Sequence, residues 1–256
     1  MKNKIVIVIT SILLLSSLGW FAYKSLCPVS EISSEFDGEQ AFRHVEKQVS
    51  FGPRIPGTEG HDLILEWMEN SLSEHGWDTE IQIGESMGHP IKNIIGKKGS
   101  GKQWIVLGAH YDTRMYADRD PNPEKRTSPV PGANDGASGV AVLLELARVI
   151  PDDYSGEIWL VFFDAEDNGD IPGWDWILGS RDFVNKLEGK PDAVVIVDMI
   201  GDADQNIYVE RNSDSELTKQ IWDRLPSLGM LTTLSRSRDT LSMMIISPFC
   251  GLISRL

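Results

Sequence analysis

The chain has 256 residues, enough to bury one sizeable α/β core. Its formal net charge of −14 is scattered along the length, which argues against a nucleic-acid partner, because phosphate binding needs a basic face. Only Cys27 and Cys250 are present, so a disulfide framework and a cysteine-based zinc site are both excluded, and any metal must be held by histidine and carboxylate.

Lys2 and Lys4 precede an uncharged apolar run from Ile5 to Tyr23, 19 residues and long enough to span a bilayer. The lysines favour a cytoplasmic N-terminus. Lys24 and Leu26 interrupt any small-residue cleavage site. Residues 1–26 are therefore expected to form an uncleaved membrane anchor, with a cleaved signal peptide as the alternative. In either case the rest of the chain lies outside the cytoplasm, as a single-pass membrane protein or a secreted one. A polar linker occupies 27–37, and an α/β domain 38–256.

Within the domain, Ala41, Phe42, Val45 and Val49 recur at helical spacing over 38–52. "FGPRIPG" (51–57) is a Pro/Gly loop. Residues 58–77 predict a helix capped by Thr58 and ended at Gly76. "DTEIQI" and "IKNIIGKK" are strand-like, and "KQWIVLGA" (102–109) predicts a buried strand. After a long loop rich in proline and charge (113–132), residues 134–150 predict an apolar helix starting at an Asn/Asp cap. "GEIWLVFFDAED" (156–167) and "DAVVIVDMIGDAD" (192–204) carry two further apolar runs, separated by the helical "LGSRDFVNKLEG". "NIYVER" predicts a short strand and "SELTKQIWDRL" a short helix. Continuous apolar strands alternating with helices imply a single three-layer domain with a twisted, mainly parallel central sheet flanked by helices.

In such sheets ligands bind beyond the carboxyl ends of the strands. The residues just past each buried strand make a consistent set. His110 and Asp112 come after the first strand. Asp164, Glu166 and Asp167 come after the second. Asp198 comes after the third, and Asp135 stands at a helix start. Each has a plainer role available: a hydrogen-bonded loop histidine, a helix cap at Asp135, a turn former at Asp198. Together they describe one edge supplied with imidazole and carboxylate, a donor set suited to zinc. Asp112 is spaced to orient His110 from behind. Glu166 beside Asp167 offers a ligand together with a free carboxylate able to serve as a general base.

"FGPRIPGTEGH", "LGAHYDTR", "PGANDGASGVAVLLELAR", "FFDAED" and "VDMIGDAD" together resemble the zinc aminopeptidase and glutaminyl-cyclase family, over roughly residues 40–212. The resemblance implies a twisted, mainly parallel sheet flanked by helices and one or two zinc ions. It implies that His110 and Asp198 hold one zinc, that Asp135 bridges, and that Asp167 holds the second. Glu166 matches the general base and Asp112 the carboxylate behind the histidine. The family more often has Glu where this chain has Asp167.

The family closes its second zinc site with a late histidine, whereas no histidine occurs after His110 here. The pattern departs after Asp239, so the C-terminal part is expected to be missing or altered from about 239. That loss bears more on the cyclase pattern, whose single zinc draws on the equivalents of Asp135, Asp167 and that histidine, than on the two-metal peptidase pattern. The resemblance implies an exopeptidase removing N-terminal residues of peptides or proteins through metal-activated water with Glu166 as base. The alternatives are a glutaminyl-peptide cyclotransferase and an inactive remnant. "GWDWILGSR" (173–181) resembles the cyclase branch, where aromatic side chains wall the pocket; Trp174 and Trp176 have plain packing as their other reading.

Overall fold

A computed structural model describes residues 36–203 and 212–224, and the backbone of 243–246. The expected anchor, nearly all of the linker and the strand expected at "NIYVER" lie outside the described residues. Among the described residues, no helix is long and apolar enough to cross a membrane.

Helix α1, Gly38–Ser50, is capped by Asp37, whose carboxylate accepts from the N–H groups of Glu39 (2.9 Å) and Gln40 (3.2 Å). Helix α2, Glu59–Glu74, departs from expectation at its start. Thr58 occupies the cap position, but its hydroxyl donates backward to the Ile55 carbonyl instead of accepting from the helix. Beyond the other end Gly76 turns the chain at φ +73°, a left-handed conformation that glycine adopts without strain. Strands β1 (Asp78–Ser86) and β2 (His89–Gly99) then form a hairpin.

Strand β3 is Trp104–His110, helix α3 Ala137–Val149, strand β4 Glu157–Phe163, helix α4 Leu178–Lys186 and strand β5 Ala193–Val197. Helix α5, Ser215–Arg224, and strand β6, Met243–Ile246, come last. The six strands lie in the order β1-β2-β4-β3-β5-β6. The central trio β4, β3 and β5 is parallel, as the apolar runs imply. The flanks are antiparallel: β1 on β2, β2 on β4, and β6 on β5. The sheet is therefore mixed, with its parallel part confined to the centre.

The period-2 alternation along β4 divides the core. Ile158, Leu160 and Phe162 pack with Ile64, Met68 and Leu72 of α2 and Val140, Leu143 and Leu144 of α3. Val161 and Phe163 face the other way, toward Phe183 of α4. Helices thus cover both faces, in the expected three layers. The arrangement places the C-terminal ends of β3, β4 and β5 side by side.

Candidate metal centre

His110 is the last residue of β3, and Asp112 lies two residues beyond it. Asp112 is fully buried and works in three directions. Its Oδ1 accepts from the backbone N–H of Glu166 (3.0 Å) and lies 3.3 Å from Nδ1 of His110, while its Oδ2 accepts from the N–H of Asp167 (3.3 Å). One carboxylate therefore joins the end of β3 to the end of β4 and fixes the imidazole plane. The free edge of the ring is then committed: Nε2 lies 2.9 Å from Oδ1 of Asp135 and 3.5 Å from Oδ1 of Asp198.

Asp135 reaches this position because it is not a helix cap. Helix α3 starts two residues later, at Ala137, with Gly136 in the cap position at φ +88° and no side-chain cap. A Cβ on Gly136 would lie 3.0 Å from the Asp112 carbonyl oxygen and 3.3 Å from Cε1 of His110, so only glycine lets the loop pass this close. Asp198 stands one residue past β5, with Met199 next at φ +49°. Ala165, before Glu166, is likewise left-handed at φ +52°. Non-glycine residues in this region cost about 1–3 kcal/mol each, and such strain clusters at functional sites.

The electrostatics separate the residues into two groups. Burial opposes charge on His110, but the Asp112, Asp135 and Asp198 carboxylates around the ring outweigh it and raise the imidazole well above its usual value. Burial would raise Asp135, yet the His110 partnership and the Arg54 and Arg114 charges bring it below the ordinary aspartate value. Glu166 behaves oppositely. Burial pushes it up to about 7, against hydrogen bonds from the Ser180 N–H (2.7 Å) and hydroxyl (2.8 Å). Asp167 also rises to about 7, first through burial and then through repulsion from Asp135.

His110, Asp135 and Asp198 each present a ligand atom within 4.8 Å of the others, forming the one such metal-ligand group among the described residues. The fit to a cation has direct support. Oδ1 of Asp198 is buried without a hydrogen-bond partner among the described residues, although it lies at ion-pair distance from His110. Two carboxylates converging on one imidazole nitrogen, one of them with an orphaned oxygen, match a site with nitrogen and oxygen donors for a borderline cation such as zinc. Asp167 stays outside this group.

Asp164 leaves the constellation. It is fully buried, bonded to His61 (2.8 Å) and accepting from the Lys92 N–H (2.9 Å), with the Tyr111 hydroxyl 3.0 Å from the same histidine nitrogen. Trp174 stacks on His89 with centroids 3.6 Å apart and joins the small cluster of Ile91, Ala165 and Leu178. Trp176 lies 5.0 Å over the Arg114 guanidinium, whose Nη1 donates to the carbonyls of Asp167 (2.7 Å) and Gly169 (3.0 Å). Arg54, Arg114 and Ser180 complete the surroundings of the site. Their roles at the site have no spacing signal, since Arg54 and Arg114 reach backbone carbonyls more than fifty residues away and Ser180 reaches Glu166 across a loop.

The model of Peptidase family M28 matches residues 93–235, more than half of the chain. The chain belongs to peptidase family M28. Among solved structures, a glutaminyl cyclase from Porphyromonas gingivalis is 35% identical, with a TM-score of 0.72 covering 76% of this chain and 73% of that one. A Zn-dependent exopeptidase from Parabacteroides distasonis is 28% identical, with a TM-score of 0.72 covering 80% and 78%. The glutaminyl-peptide cyclotransferase of Drosophila melanogaster is 31% identical over 175 residues, 61% of this chain and 47% of that protein. The chain spans less than half the length of the curated relatives it matches. The Parabacteroides distasonis relative is a Zn-dependent exopeptidase, and the His110, Asp135 and Asp198 group supplies ligands suited to that metal.

Proposed function

We propose that this chain is a zinc-dependent exopeptidase that removes residues from the free N-termini of peptides. The observation that carries the reading is the convergence of His110, Asp135 and Asp198, with the orphaned Asp198 oxygen. These three residues hold the metal, and Asp167 offers a further carboxylate beside Asp135. Zinc there supplies polarisation of the scissile carbonyl and acidification of a water. Asp112 keeps His110 in the orientation that turns Nε2 toward Asp135 and Asp198. Glu166 takes a proton from the attacking water and returns it to the leaving amine. A carboxyl near 7 suits both transfers at neutral pH. Ser180 fixes that carboxyl in place.

A second reading, cyclisation of an N-terminal glutamine, draws support from Trp176 over Arg114 beside the Asp167 loop and from the cyclases at 31–35% identity. There the substrate's own α-amine attacks its side-chain amide and ammonia leaves, with Glu166 carrying the proton between them. Mass spectrometry of glutamine-initiated and leucine-initiated peptides, incubated with the full chain and zinc, separates the readings. Loss of a whole residue supports hydrolysis, and loss of ammonia supports cyclisation. No change in either peptide counts against both. The reading includes attachment through residues 1–26 with the domain outside the cytoplasm, supported by the uncharged run from Ile5 to Tyr23. Protection of the domain from protease added to intact cells would contradict that placement.

A further inference from the structure

Arg54 is fully buried. A buried guanidinium ordinarily faces a carboxylate. This one faces three backbone carbonyls: Nε donates to Tyr111 (2.9 Å), Nη1 to Pro131 (3.0 Å) and Nη2 to Gly132 (2.6 Å). Tyr111 sits between His110 and Asp112, and Pro131 and Gly132 open the loop that ends in Asp135. One planar fork therefore ties the segment carrying the imidazole to the segment carrying its carboxylate partner.

The fork is itself held. The Arg54 N–H donates to Oγ1 of Thr113 (2.9 Å), and the Arg54 carbonyl accepts from the Thr113 N–H (3.1 Å). The loop is shaped around it. Gly132 has φ +65°, and a Cβ there would lie 2.6 Å from Nη2 of Arg54 and 2.8 Å from the Asp135 carbonyl oxygen. Burial pulls the guanidinium down to about 10 against the pull of Asp112 and Asp135, so it stays charged at neutral pH.

We propose that Arg54 is the positioning residue of the metal centre, setting the separation of the His110 turn and the Asp135 loop at which both reach one cation. The inference rests on the reading that His110, Asp135 and Asp198 hold the metal. Lysine cannot replace the fork, because its ammonium is a point donor on a shorter, flexible stem. The sign of the effect separates geometry from charge. A buried positive charge repels a cation, so a purely electrostatic Arg54 would make zinc bind more tightly once removed. A positioning Arg54 makes it bind more weakly. A purely structural role would lower the melting temperature and leave the affinity of the folded chain unchanged.

The test is zinc affinity by competition with a chromophoric chelator, on the full chain, with folding of each metal-free variant monitored by circular dichroism. Arg54→Lys and Arg54→Gln are each expected to weaken zinc by about 10–100-fold, the scale for partners that orient a ligand. Unchanged affinity in Arg54→Lys, or tighter binding in Arg54→Gln, overturns the proposal. Should neither variant fold, Thr113→Val decides. It keeps the guanidinium and removes the hydroxyl that holds its backbone, and weaker zinc binding supports the proposal while unchanged binding overturns it. Asp135→Asn is the control on the metal reading. If zinc binds that variant as tightly as the unmodified chain, the metal assignment itself is wrong and the Arg54 proposal falls with it.

Discussion

The two halves of the candidate site are built differently. On one side, His110, Asp135 and Asp198 converge, each acid facing an imidazole that is itself aimed by Asp112. On the other side, Glu166 and Asp167 are pushed up to about 7 by burial, and the charges that would lower them are outweighed. The first half is shaped for a cation: Asp135 and Asp198 converge on one imidazole nitrogen, and a bound metal would displace the proton that the raised imidazole otherwise holds there. The second half is ready to hold and release a proton. A carboxylate's neighbours, more than its residue type, decide between ligand and acid–base roles.

The sharpest way to break this division is Glu166→Gln. The expected outcome is turnover lowered by about 10²–10⁴-fold with zinc content unchanged, measured by steady-state kinetics and elemental analysis. Loss of zinc in this variant would make Glu166 a ligand and erase the distinction between the halves.

A smaller effect concerns pH and the metal-free chain. Glu166 and Asp167, raised to about 7, are protonated in the fold at pH values where the unfolded chain has already ionised them, from near their ordinary 4.5 and 3.8 upward. Stability therefore falls as pH rises through that window. Raised His110 acts in the same direction, its contribution being complete below its ordinary 6.5 and lost as pH rises through its folded value. Asp135, lowered, acts oppositely and only at the acid end. The expected outcome is a melting temperature lower by about 10 °C or more at pH 8 than at pH 5 without metal. Combining Glu166→Gln with Asp167→Asn should flatten that slope below pH 6.5, leaving above it the part that His110 contributes. A slope that survives the double substitution below pH 6.5 would place its origin elsewhere.

The smallest effect concerns how the base is tuned. The Ser180 hydroxyl donates to Glu166 and helps to hold its carboxyl down. Ser180→Ala should shift the acid limb of the pH–rate profile to higher pH and slow turnover at pH 7 by about threefold, a fraction of the full contribution of a general base. An unmoved acid limb would show that another group sets it.

The central strands and the acids at their ends were legible in the sequence because both obey simple rules. Parallel buried strands read as continuous apolar runs, and such sheets display their sites at the strand ends. The antiparallel flanks were not legible, since "IKNIIGKK" has the same apolar character whichever way its neighbour runs. Asp135 had the sequence position of a helix cap, and only the backbone of Gly136 frees it for the site. Asp164 looked equivalent to Glu166 and Asp167. The alternation of β4 carries it away to His61, which tracing the period through the strand end would have shown. Arg54 stands within "FGPRIPGTEGH", but its role was not legible, because its partners are backbone carbonyls more than fifty residues away.

The most direct test is where tightly held zinc resides, measured by metal analysis after dialysis of the full chain and of two variants, His110→Ala and Asp167→Asn. About one zinc per chain is expected, lost in His110→Ala and kept in Asp167→Asn. Zinc kept in His110→Ala and lost in Asp167→Asn would move the metal to the other half of the site and contradict the division between a metal-holding half and a proton-carrying half.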